Sequence, residues 1–207
     1  QNVFSRGAGI YEYTGYEPLK DKPVTLHYYI PLKGDITRMT ILFAMPGSSR
    51  NAENIIEAWR YFAENDGFIL LSPSFSRDIY SVNEYRYGNI SKTSREWDPQ
   101  PKELWSFNII ESMFDFFTED TGNVSDRYDI WGHSAGGQFV HRMLLCMPEC
   151  RVNKAVAANC GVWTFPLAGG LTDKDGKLRG WPYSVWGTPF ADEANLKQYF
   201  ARTLYVN

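Results

Sequence analysis

The chain has 207 residues, 43% hydrophobic and 22% charged, enough for a folded domain with a substantial core. Its net charge of -3 offers no basic surface for nucleic acid or an anionic membrane, and no apolar run approaches the ~18 residues of a spanning helix. Aromatic residues reach 16%, more than a core alone requires, so some are expected on a binding surface. The three cysteines (Cys146, Cys150 and Cys160) are an odd number in spacings that fit no zinc pattern, and read as small buried hydrophobes. The start at Gln1-Asn2-Val3, without an initiator Met, is what a removed export signal leaves behind. The expectation is a secreted or periplasmic protein. A trimmed chain would look the same, which keeps the cytoplasm as the alternative.

In chain order, Val24 to Pro31 alternates apolar and polar residues, as an antiparallel edge or near-edge strand does. Met39 to Met45 is a continuous apolar run closed by Pro46-Gly47 and suits a strand buried on both faces. Asn51 to Asn65 places Ile55, Ile56, Trp59, Phe62 and Ala63 on one helical stripe, and Gly67 ends it. Phe68 to Leu71 is the next buried strand, stopped by Ser72-Pro73. Residues 74–101 are polar and aromatic without a period, and a loop that long is usually functional. A helix is expected from about Pro101 to Glu119, a strand over Arg127 to Trp131, and a second helix from the glycine-rich turn to near Pro148. Val152 to Ala158 is another strand, and 160–191 is a second long irregular stretch. A short helix over Asp192 to Phe200 and a strand over Thr203 to Val206 complete the series. Strand and helix alternating through short turns predict an α/β fold, a mostly parallel sheet with helices on both faces. Ligands in such sheets bind beyond the carboxyl ends of the strands.

Gly132-His133-Ser134-Ala135-Gly136 has the G-x-S-x-G pattern of a nucleophile elbow, with a strand before it and a helix after it. The pattern demands small flanking residues because the strand reverses into the helix within one residue, holding the serine hydroxyl above the sheet. Ser134 is therefore the candidate catalytic nucleophile. The backbone N–H of Ala135 is one candidate oxyanion donor, and that of Ser48, in the loop Pro46-Gly47-Ser48-Ser49-Arg50-Asn51, is the other. Asn51 suits the cap of the helix that follows.

These segments, with Trp59, Ser72-Pro73-Ser74-Phe75, Tyr87-Gly88-Asn89, Gln138 to Arg142 and Ala157 to Trp163, carry a family likeness. The chain resembles the α/β-hydrolase superfamily, within it the secreted polyhydroxybutyrate-depolymerase-like and feruloyl-esterase-like branch, over roughly Pro23 to Asn207. The resemblance implies carboxylic ester hydrolysis through an acyl-enzyme on Ser134, with oxyanion donors Ala135 and Ser48 and neither metal nor cofactor. It implies residues 1–207 as a single α/β-hydrolase domain, incomplete at its C-terminus and lacking the last strand or strands and helix. The loops 74–101 and 160–191 would lie over the active-site face.

A serine needs a base within hydrogen-bond reach. His27 lies in an early strand, His133 is the variable residue of the elbow, and His141 is two helical turns beyond Ser134, so none is placed to serve. Asp173 and Asp175 read as a solvated turn. The catalytic Asp and His are expected beyond residue 207. The alternative is a catalytically inactive binding or scaffold protein on the same fold. Tyr87, Trp163 and Trp181 are the candidate substrate-binding residues, within an aromatic wall completed by Tyr85, Trp97, Phe165 and Trp186. The expected partners are a small-molecule or polymer-linked ester and the chain's own missing C-terminal segment. Neither nucleic acid nor a membrane span is expected.

Overall fold

A computed structural model describes residues 2–207. The elements in chain order are β1 (Gly7–Tyr13), β2 (Val24–Ile30), β3 (Ile41–Met45), α1 (Ala52–Asp66), β4 (Ile69–Ser74), α2 (Val82–Arg86) and α3 (Phe107–Thr121). They continue with β5 (Tyr128–His133), α4 (Ala135–Cys146), β6 (Val152–Ala158), β7 (Leu171–Thr172), β8 (Leu178–Arg179), α5 (Glu193–Phe200) and β9 (Thr203–Val206). Seven strands form one sheet in the order β1-β2-β4-β3-β5-β6-β9. The β1–β2 and β2–β4 pairs are antiparallel, and every pair from β4 to β9 is parallel. This is the mostly parallel α/β sheet read from the sequence.

The apolar run of β3 explains the layering, because alternate side chains of a strand point to opposite faces. Ile41, Phe43 and Met45 enter one core with Ile110, Phe114 and Phe117 of α3 and Phe139, Met143 and Leu144 of α4. Leu42 and Ala44 face the other way and pack with Ile56, Ala63 and Trp59 of α1. Each face of β3 is thus covered, which is why no polar residue interrupts it. α1 is bounded as expected. The Asn51 side chain accepts from the Asn54 N–H at 3.0 Å, and Gly67 closes the helix in the left-handed region at φ 73.

Four local readings are corrected. β1 is an added strand, hidden in the sequence because its exposed face carries Ile10 and its two glycines mask the period of two. β4 does not stop at Ser72-Pro73 but runs to Ser74. Past Leu71 it pairs with β2 alone, and a strand with one neighbour tolerates proline. The segment 74–101 contains α2, opened by a capping box in which Ser81 and Glu84 each satisfy the other's backbone N–H. The helix expected from Pro101 starts at Phe107 instead. Lys102–Leu104 is a separate 3-10 turn, and the chain turns extended at Trp105, whose indole N–H donates to the Gln100 carbonyl at 3.2 Å.

Candidate active site

β5 ends at His133 and α4 begins at Ala135, so Ser134 alone makes the turn between them. Its backbone lies at φ 54 and ψ −113, where a residue with a Cβ sits under strain of about 1–3 kcal/mol. The turn is pinned on both sides. The Ser134 N–H donates to the Ala158 carbonyl at 2.8 Å, and the Ser134 carbonyl accepts from Gln138 at 3.0 Å. Side chains are barred at the flanking glycines. A Cβ on Gly132 would lie 2.3 Å from the Gly136 carbonyl, and one on Gly136 would lie 2.1 Å from the Met45 carbonyl oxygen. The Ser134 hydroxyl makes no capping bond to α4, which leaves it half-exposed at the carboxyl end of β5.

The loop after β3 lies against this turn. A Cβ on Gly47 would be 3.9 Å from the Ser134 Cβ. The backbone N–H groups of Ser48 and Ala135 find no acceptor among the described residues. α2 supports the loop from beneath. Tyr85 donates its hydroxyl to the Pro46 carbonyl at 2.6 Å, and Arg86 Nη2 donates to Ser48 Oγ at 2.9 Å. Arg50 lies over the Tyr85 ring at 3.9 Å and donates to the Phe75 carbonyl at 2.6 Å. From α4, the fully buried Arg142 reaches both long loops. It donates to the Arg86 carbonyl at 2.8 Å, to Thr164 Oγ1 at 2.8 Å and to the Val162 carbonyl at 3.1 Å, with its guanidinium 4.0 Å from the Tyr87 ring. Burial lowers both Arg50 and Arg142 to about 10.

None of the three histidines hydrogen-bonds to the Ser134 side chain among the described residues. His27 lines a groove of about 270 Å³ with Ile10, Ile56, Glu53 and Glu57 at the β1–β2 side of the sheet. His133 is exposed and stacks on Trp131 with ring centroids 6.3 Å apart. His141 is fully buried between the Gly137 carbonyl, 3.1 Å from Nδ1, and the Thr164 N–H, 3.1 Å from Nε2, and it packs on Trp163. Asp173 accepts from the backbone of Asp175 and Lys177 in the turn between β7 and β8, and pairs with Arg179.

The aromatic residues do not stand as an open wall. Tyr87 and Trp181 are buried against each other, and Trp181 donates its indole N–H to the Thr93 carbonyl, so these rings join the two loops. Tyr85 is buried and Trp97 packs on Trp181 and Phe190. Trp163 is half-buried, and the exposed rings are Phe165 and Trp186. Of these rings, Tyr85 and Trp181 spend their polar tips on the backbone carbonyls of Pro46 and Thr93.

No family profile and no curated protein sequence matches the chain. Among solved structures, poly(aspartic acid) hydrolase-1 from Sphingomonas sp. KT-1 superposes with a TM-score of 0.85 and 35% identity, covering 98% of this chain and 71% of that one. The chain belongs to the α/β-hydrolase family. The fold also matches a poly(3-hydroxybutyrate) depolymerase from Bordetella parapertussis, with a TM-score of 0.83 and 22% identity over 98% of this chain and 65% of that one. An S-formylglutathione hydrolase from Agrobacterium tumefaciens aligns with a TM-score of 0.54 and 17% identity over 96% and 71%. The α/β-hydrolase elbow, strand-turn-helix around Ser134, was legible in the sequence. The support that α2 and Arg142 give to the neighbouring loop was not. The Ser81-to-Glu84 capping box was the one available sign of α2.

Proposed function

We propose that this chain hydrolyses a carboxylic ester through an acyl-enzyme on Ser134. The strained backbone of Ser134, with the unpaired N–H groups of Ser48 and Ala135 beside it, is the observation that carries the reading. Ser134 Oγ attacks the carbonyl carbon and gives up its proton to a base, and the carbonyl oxygen becomes an oxyanion held by the two N–H groups. Collapse breaks the bond to the leaving alkoxide, which takes the proton and departs as alcohol. Water then cleaves the acyl-serine by the same route and restores the hydroxyl.

The placements of His27, His133 and His141 support a base, and with it an acid, supplied from outside these residues. The relatives are named for hydrolysing poly(aspartic acid) and for depolymerising poly(3-hydroxybutyrate), which favours a polymer-linked acyl substrate. A polymer too large to import is cut outside the cytoplasm, so export belongs to the same proposal.

The test is p-nitrophenyl acetate turnover together with fluorophosphonate labelling, read by mass, of the wild type and Ser134→Ala. Labelling at Ser134 and release of p-nitrophenolate that falls to background in Ser134→Ala are expected. Without a poised histidine the wild-type rate should remain about a hundredfold or more below that of a complete triad. An unlabelled Ser134 with equal rates in both proteins would mean a binding protein on this fold.

A further inference from the structure

Arg50, Arg86 and Arg142 gather beneath and beside the Ser48 loop. Arg50 and Arg142 each feel the charge of Arg86, and the exposed Arg77 adds to that at Arg50. None of the three takes part in an ion pair among the described residues. The carboxylate on the same short helix, Glu84, is engaged by Lys22 and by the capping box. Glu84 offsets part of the repulsion at Arg50, but no carboxylate pairs with any of the three among the described residues, and an anion is the natural relief.

Arg50 and Arg142 are buried on carbonyl oxygens and rings, which leaves Arg86 to meet a ligand. Its Nε is buried without any acceptor, and its Nη2 is committed to Ser48 Oγ at 2.9 Å. The guanidinium is therefore anchored at one corner, and with Nε shut away from solvent, as Arg50 Nε also is, its Nη groups are the donors left to meet a ligand beside the loop whose Gly47 lies against Ser134. A planar guanidinium held this way presents parallel N–H groups to a carboxylate.

We infer that Arg86 is a specificity-determining residue that binds a carboxylate carried by the substrate close to its scissile carbonyl. The inference rests on the reading of Ser134 and Ser48 as the reacting site, and it makes the preferred substrate an anionic acyl compound instead of a neutral one. Arg142, which holds the Arg86 carbonyl, is then a positioning residue for the subsite.

The experiment is an amide-detected NMR titration of the full chain with succinamate, which carries a carboxylate, and with butyramide, its neutral counterpart. Inorganic phosphate serves as a third probe, for a free anion. Succinamate is expected to shift the amides of Ser48 and Ala135 and to bind about tenfold tighter than butyramide. Raising NaCl from about 50 to about 500 mM should shrink that advantage in the wild type, a reading that does not depend on any variant folding. Arg86→Gln should abolish the advantage, and Arg86→Lys should retain part of it because charge without the planar fork binds less well. Equal affinities for the two amides in the wild type would overturn the inference. An advantage that persists in a folded Arg86→Gln would do the same, as would Arg86-dependent binding of phosphate with none of succinamate. Fluorophosphonate labelling separates this outcome from the parent reading. A labelled Ser134 without carboxylate preference removes only the subsite, whereas a carboxylate preference without labelling removes the hydrolase and leaves an anion site.

Discussion

Ser134 is held at φ 54 and ψ −113 by bonds to Ala158 and Gln138, so its strain belongs to the backbone and not to the hydroxyl. Replacing serine by alanine leaves the strain in place, and glycine relieves it at an unfolded-state entropy cost of about 0.5–1 kcal/mol. Ser134→Gly should accordingly be about 1 kcal/mol more stable than Ser134→Ala in urea denaturation. A glycine variant no more stable than the alanine one would mean that the elbow stores no strain. His141 makes a second argument at this scale. Burial, and next the Arg142 cation, hold its pKa well below the usual histidine value, against the opposing pull of the Gly137 carbonyl. The unfolded chain takes up this proton near pH 6.5 while the native chain does not. Stability present above that pH is therefore lost as the pH falls, at about 1.4 kcal/mol per unit, until the native pKa is met. Between pH 7 and pH 5.5 the loss from this group should be about 1 kcal/mol, above the range where most carboxylates titrate. His27, whose pKa burial also lowers, adds to the same slope, so the comparison is with His141→Gln. An unchanged pH profile in that variant would show that His141 takes up its proton as readily in the native protein as in the unfolded chain.

Helix α4 couples the nucleophile turn to both long loops through a single side chain. Arg142→Met keeps much of the buried volume but strips the donors from Thr164 Oγ1 and from the Arg86 and Val162 carbonyls. Buried acceptors left unpaired should cost about 3 kcal/mol, and the loops they belong to should become cleavable in limited proteolysis. A variant within about 0.5 kcal/mol of wild type, with loops still resistant, would show that water replaces the guanidinium. This coupling also marks what the sequence could reveal. The elbow is a local pattern with a local cause, since Gly132, Ser134 and Gly136 fall within five residues and the adjoining strand and helix carry clear periods. The same holds for β3, α1 and β6, where burial on one or two faces writes itself into neighbouring residues. Arg86 and Arg142 stand 56 positions apart and Arg86 and Ser48 stand 38 apart, so their association exists only once β3, α2 and α4 are placed. β1 stayed hidden for the opposite reason. It is one edge of the sheet, and Ile10 faces solvent where the pattern of a half-buried strand calls for a polar residue.

Across the whole molecule the sheet should be graded in stability from its centre to its far edge. β3 and β5 lie in the middle, each with a strand on both sides, and Ile41, Phe43, Met45, Tyr128 and Ile130 are buried in the core shared with α3 and α4. β9 has a neighbour only in β6, to which it is paired over Thr203 to Val206. Tyr205 and Val206 remain 59% and 60% exposed, and only Leu204 packs against the core. On the α1 face, Tyr205 borders an apolar groove of about 250 Å³ with Trp59, Trp131 and Val156, which none of the helices fills. Arg202 does tie the approach to β9 down, donating to the Val152 carbonyl at 2.9 Å and to the Cys150 carbonyl at 2.6 Å. Those bonds fix the start of the strand and not its outer edge. Opening β9 exposes little apolar surface, whereas opening β5 exposes both layers. Local and global openings then differ in free energy by several kcal/mol, and each 1.4 kcal/mol is tenfold in exchange. In hydrogen-exchange mass spectrometry, peptides covering α5 and β9 should exchange at least about a hundredfold faster than those covering β3 and β5. Equal protection at both places would mean that the groove beside Tyr205 is covered in solution, and that the sheet opens as one unit from β1 to β9.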